Sequence, residues 1–181
     1  MILRPKSSIN YKEEPYFSWF EKVNINNWRK YIRYEPIEKR YVDDIDDDDD
    51  TVIYYLDDSG IWIPQFIVKL SLGKGRGLFA ARRIDAHQSI TVYIGESLDI
   101  CRGNAYTLTN IDETMTVRAD KRLLLGGAHF INEGETPRTR NCEIGPNFIF
   151  ESTKVIEYGE EILTFYGEGY QFRDGYNVFE S

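Results

Sequence analysis

Near the start of the chain the large apolar residues fall mostly three apart: Tyr16, Trp19, Phe20, Val23, Trp28, Tyr31 and Ile32. That spacing predicts a ragged helix over residues 15–33 with an aromatic face turned to the core. Asn24, Asn26 and Asn27 weaken it, because their side chains compete for backbone hydrogen bonds. After Asp50 the texture changes to strand. Residues 51–56 and 61–68 flank Asp57-Asp58-Ser59-Gly60, the composition of a hairpin turn. Pro64 lacks a backbone donor, so the second strand is expected at a sheet edge or to carry a bulge. Further short strands are expected at 89–94, 106–108, 115–118, 147–150 and 161–165, with glycine-rich turns between them. No repeat, heptad or long helix interrupts this half, so the class is mainly β, built of small sheets, with a partly helical N-terminal extension.

Charge adds one boundary. The run from Asp43 to Asp50 holds seven aspartates in a chain whose net charge is −8. The extension with its acidic run is expected to span 1–50 and the β domain 51–181. The run reads as a solvated, self-repelling loop or as a landing strip for a basic partner. A calcium loop fits less well, since the sharp-turn Gly and the closing Glu are missing. Net negative charge disfavours direct nucleic-acid binding. Cys101 and Cys142 stand far apart in no metal-binding pattern, so neither a disulfide framework nor a metal centre is expected. The polar stretch 1–15 has neither the length nor the hydropathy of a signal peptide or membrane span. An intracellular protein is therefore expected.

The candidate chemistry sits in three separated stretches. Gly73-Lys74-Gly75-Arg76-Gly77-Leu78-Phe79-Ala80 allows positive φ and leaves backbone groups open to a ligand. It lacks the Lys-Ser/Thr ending of a phosphate loop and the helix of a dinucleotide site. Phe130-Ile131-Asn132 is followed at a distance by Asn141-Cys142. Gly159-Glu160-Glu161-Ile162-Leu163-Thr164-Phe165-Tyr166-Gly167 closes the series.

In this order, with Tyr93-Ile94-Gly95-Glu96 between the first two, the stretches resemble the SET domain of lysine methyltransferases, in its compact virus-type form without Cys-rich flanking modules. The resemblance covers 67–170. It implies small curved sheets with a threaded, knot-like crossing where the Asn132 segment lies beside the strand entering Tyr166. It further implies that S-adenosylmethionine is bound at Lys74, Gly75, Arg76, Asn132 and Glu133. Tyr166 takes the catalytic position, and Tyr106, Tyr170, Thr164 and Phe165 line the channel for the substrate lysine. Glu133 stands where the family usually has His. The small Thr164 occupies a position often held by an aromatic residue that limits methylation, which favours di- or trimethylation.

An aromatic channel suits this chemistry. Methyl transfer needs a neutral amine, whereas free lysine has a pKa of about 10.4. Desolvation lowers that value, and alignment supplies the rest of the barrier reduction. The implied substrate is a histone or other basic tail, in a nuclear or virus-associated setting, and a homodimer is left open. The competing reading is a SET-like module with weak or no turnover that binds a basic protein partner.

Overall fold

A computed structural model describes residues 14–37, 50–98, 107–109, 115–119 and 123–166. Four antiparallel strands lie side by side in chain order: β1 (Ile32–Pro36), β2 (Thr51–Leu56), β3 (Trp62–Ser71) and β4 (Gly75–Ala80). The hairpin turn between β2 and β3 forms where expected. Asp57 Oδ1 accepts the backbone N–H groups of Ser59 and Ile61, and Gly60 takes φ +83°.

Pro64 marks a bulge and not an edge, because β3 runs between β2 and β4. The register steps from Ile53 opposite Phe66 to Tyr54 opposite Pro64, leaving Gln65 as the extra residue. The bulge turns Gln65 fully inward. Its Nε2 donates to the Ile90 carbonyl and its Oε1 accepts from Arg82 Nε.

The helix expected over 15–33 is replaced by two 3-10 turns, Ser18–Glu21 and Trp28–Lys30, and by the start of β1. The asparagines between the turns account for the break. Asn27 Oδ1 accepts the Asn24 N–H, Asn24 Oδ1 accepts the Asn26 N–H, and Asn27 Nδ2 donates to the Lys22 carbonyl. These bonds satisfy backbone groups that a continuous helix would need. Most of the aromatic residues are nevertheless core, although Tyr16 is exposed. Phe17, Trp19, Phe20 and Trp28 are buried, and the first three pack edge-on against the ring of Tyr55. Trp19 Nε1 also donates to the Leu56 carbonyl at 2.7 Å. Through β1, the chain before residue 50 supplies an edge strand to the same sheet.

The remaining strands are short: β5 (Ser89–Val92), β6 (Glu96–Leu98), β7 (Thr107–Thr109), β8 (Thr116–Arg118), β9 (Asn132–Glu133), β10 (Cys142–Ile144), β11 (Ile149–Ser152) and β12 (Leu163–Thr164). They form an antiparallel sheet in the order β10-β11-β5, a second in the order β6-β8-β7, and a parallel pair, β12 with β9. The strand expected at 147–150 begins only at Ile149. Pro146–Phe148 form a 3-10 turn in which Asn147 and Phe148 both have positive φ. Of the Asp run only Asp50 lies among the described residues. No helix among them is long and apolar enough to cross a membrane.

Several acidic hydroxyl and thiol groups are buried in this core. The Tyr55 hydroxyl meets Thr91 Oγ1 and the Gly126 carbonyl, and the Tyr34 hydroxyl donates to the Leu125 carbonyl. Burial raises the pKa of both phenols, and it pushes the Cys142 thiol up to about 12. A folded state that holds these protons more tightly is at full strength below the unfolded pKa values. It then weakens as pH rises toward the folded ones. Denaturation midpoints should therefore be level from about pH 7 to 8 and fall steadily above about pH 9. A midpoint unchanged to pH 11 would contradict the burial. With Cys101→Ser as background, Cys142 should resist thiol reagents in the native state and react on unfolding.

Candidate active site

The glycine turn after β3 opens the site. Gly73 and Gly75 have φ of +75° and +74°, and the space where a Cβ would project is empty at both. Gly77 serves a different purpose from the positive φ expected of it. A Cβ there would lie 2.5 Å from Glu161 Oε1 and 3.1 Å from Asn132 Nδ2, so its bare backbone makes room for a side-chain cluster.

That cluster joins three segments. Glu161 Oε1 accepts from Asn132 Nδ2 at 2.9 Å, and Glu161 Oε2 accepts from Ser71 Oγ at 3.0 Å. Asn132 Nδ2 also donates to the Arg76 carbonyl, and Lys74 Nζ donates to the Glu133 carbonyl at 3.0 Å. Lys74, Gly75, Arg76, Asn132 and Glu133, separated by more than fifty residues in the chain, thus meet at one place. Glu161 was missed as a partner by reading the sequence. Its neighbour Glu160 looks identical there, and only the antiparallel bridge of Glu161 with Phe79 on β4 tells them apart.

Glu161→Gln tests this junction. The amide oxygen can still accept from Asn132 Nδ2 while the Ser71 hydroxyl turns to accept from the new NH2, so both bonds can re-form but lose the strengthening of the carboxylate charge. About 1–2 kcal/mol of stability should go with it, read from denaturant midpoints. Ser71→Ala should be less than additive with it, since the two residues are the two ends of one hydrogen bond.

The crossing lies next to this cluster. Leu163 and Thr164 pair in parallel with Asn132 and Glu133, and the Gly134 N–H continues the ladder to the Thr164 carbonyl. On the other side Asn141 acts as a strand partner with its side chain. Its Nδ2 donates to the Glu161 carbonyl at 2.8 Å, its Oδ1 accepts the Leu163 N–H at 2.9 Å, and its own N–H donates to the Leu163 carbonyl. Thr164 Oγ1 donates to the Cys142 carbonyl. The segment 161–164 therefore runs between the two legs of the loop 132–142, which is the threaded crossing expected from the sequence.

Tyr166 leaves this crossing with its hydroxyl donating to the Ile131 carbonyl, one residue before Asn132. Its ring helps to wall a cavity of about 180 Å³. Thr164, Phe165, Tyr93, His129 and the strand Thr107–Thr109 line the same space. Thr164 is buried, whereas Phe165 is 46% exposed, at the cavity's open side. Tyr93 and His129 were not anticipated. His129 stands just ahead of the Asn132 motif and stacks obliquely on Phe130 at 4.1 Å, a contact no local pattern announces. Tyr106 and Tyr170 lie outside the described residues.

A family model for the SET domain matches residues 75–167, just over half of the chain. The chain belongs to the SET-domain family. SET domains are in general protein-lysine methyltransferases, and the matched residues run from Gly75, where the glycine turn enters β4, through both legs of the crossing to Tyr166. Among solved structures, the crystal structure of CpSET8 from Cryptosporidium is similar at 22% identity with a TM-score of 0.47. The likeness covers 57% of this chain, which spans 57% of that one. No curated protein matches the sequence. Glu133 is the residue expected at the family's usual His position. Its carbonyl receives Lys74, so the link between glycine turn and crossing runs through backbone there and not through the substituted side chain.

Proposed function

We propose that this SET domain transfers methyl groups from S-adenosylmethionine to the side-chain amine of a lysine in a protein tail. The observation that carries the reading is the position of Tyr166. It leaves the crossing beside the Asn132 junction on one side and walls the aromatic cavity on the other.

The glycine turn suits the methyl donor. The open space at Gly73 and Gly75 leaves the turn unshielded by side chains, and Lys74 and Arg76 bring positive charge to meet a carboxylate. Lys74, Gly75, Arg76, Asn132 and Glu133 would hold it, and when bound it supplies a methyl group on a positively charged sulfur. The chain's own residues then supply desolvation and alignment. Tyr93, Phe165 and Tyr166 exclude water from the amine, which favours its neutral, nucleophilic form. The bond to Ile131 holds the Tyr166 hydroxyl in one direction, leaving its oxygen lone pairs to orient weak C–H donors and the amine. Tyr106 and Tyr170 are proposed to complete the channel. Thr164, small and with its hydroxyl turned to the Cys142 carbonyl, leaves room for a second and third methyl group.

A net charge of −8 favours a basic, flexible substrate at long range, for which a histone tail in a nuclear or virus-associated setting is the model. Incubation with radiolabelled S-adenosylmethionine, histones and cell lysate tests the proposal. Label on lysine, with multiplicity read by mass spectrometry, is the expected result. No transfer to any protein would overturn it.

A further inference from the structure

At the outer edge of the cavity lies a positive group that the methyl-transfer chemistry does not use. Arg140 closes the loop between the two legs of the crossing, and its guanidinium lies over the ring of Phe165, 4.2 Å from the centroid. Arg140 Nε donates to the Gly134 carbonyl at 3.0 Å. The stem is held as well. A Cβ on Gly134 would come within 2.7 Å of Arg140 Cγ, so the chain packs over a glycine that must stay bare. Gly134 in turn donates its N–H to Thr164, tying the arginine to the strand that enters Tyr166.

This is a placed cation with unused donors. Arg140 spends one N–H on Gly134, and among the described residues no carboxylate pairs with it or with the exposed Arg138 in the same loop. Lys154 lies alongside, its Nζ on the Arg138 carbonyl. In a chain of net charge −8, Arg138, Arg140 and Lys154 thus lie in or against one loop, with Arg140 placed on the cavity-lining Phe165. A guanidinium fixed through Nε and one ring face still offers the outer N–H groups of its fork, the geometry that receives a carboxylate.

We infer that Arg140 selects substrates in which a residue next to the target lysine is Asp or Glu. The inference rests on the methyltransferase reading and sharpens its substrate. Overall acidity draws in a basic segment from a distance, whereas Arg140 reads one side chain at contact, where like charge is rejected.

Peptides identical except for Glu, Ala or Lys beside a single lysine provide the test. Both methylation (kcat/KM) and binding, by fluorescence anisotropy with S-adenosylhomocysteine present, are measured on the full chain. The Glu peptide should exceed the Lys peptide by roughly tenfold in both readouts, shrinking at high salt. Arg140→Gln should bring the ratio close to one, and Arg140→Lys should keep part of it. Circular dichroism and denaturant midpoints establish that the variants fold. Equal binding of the three peptides, or an undiminished ratio in Arg140→Gln, would overturn the inference. Arg140-dependent preference in binding with no methyl transfer to any peptide would support the recognition and overturn the methyltransferase reading instead.

Discussion

Tyr166→Phe is expected to lower single-turnover methyl transfer by about 100-fold while the protein stays folded. The substitution keeps the ring, so the cavity wall and most of the amine's desolvation remain. It removes the hydroxyl that donates to the Ile131 carbonyl, and with it the oxygen proposed to orient the reacting groups. A hydrogen bond of this kind contributes only about 1 kcal/mol to stability, so denaturant midpoints should move little. Affinity for S-adenosylhomocysteine should stay within about threefold, because an interaction that matters mainly in the transition state is what is lost. Equal turnover by wild type and variant would remove Tyr166 from the mechanism. A large drop in both stability and cofactor affinity would make the residue structural.

Asn141→Asp should produce the largest loss of stability in the molecule for the change of a single atom. Asn141 is buried, and its side chain bonds both the Glu161 carbonyl and the Leu163 N–H. The introduced carboxylate could still accept from Leu163, but it would face the Glu161 carbonyl with negative charge where a donor is required. Leaving a buried charge poorly paired costs about 3 kcal/mol or more. Burial would raise the folded pKa of the new carboxyl above its unfolded value. The deficit should accordingly be smallest below about pH 4, where the carboxyl is protonated in both states and can donate, and should grow as pH rises. Asn141→Ala would leave two buried backbone groups without partners at any pH. Since the same bonds hold the strand entering Tyr166, methyl transfer should fall with stability in both variants. A loss under about 1 kcal/mol would show that the crossing does not depend on this side chain.

The glycine turn was legible because its signal is local. A bare residue at Gly73 or Gly75 announces positive φ wherever it occurs, and the hairpin at Asp57–Gly60 announces itself in the same way. Gly77 shows the limit of that reading. Its reason is the carboxylate of Glu161, more than eighty positions away, and no turn propensity encodes it. The N-terminal segment failed for the opposite cause. Apolar spacing suggested a helix, but asparagine side chains took the backbone bonds, and Ile32 found a strand partner in Tyr55. Burial of Trp19, Phe20 and Trp28 was predicted correctly from a helix that does not form, since hydrophobicity drives them inward in either conformation, whereas Tyr16 of the same expected face is exposed.

Order and composition along the chain thus decided the family and the mainly β architecture and pointed to Asn132 and Tyr166 as candidates, because hydrophobic alternation and glycine placement act on neighbouring residues. Tertiary structure alone decided that Glu161 and not Glu160 joins the Asn132 junction, that Asn141 stands in for a strand, that Tyr93 and His129 reach the cavity, and that Arg140 lies over Phe165. Each of these depends on two segments brought together by folding. Side-chain contacts made across such distances leave no periodic trace in a single sequence.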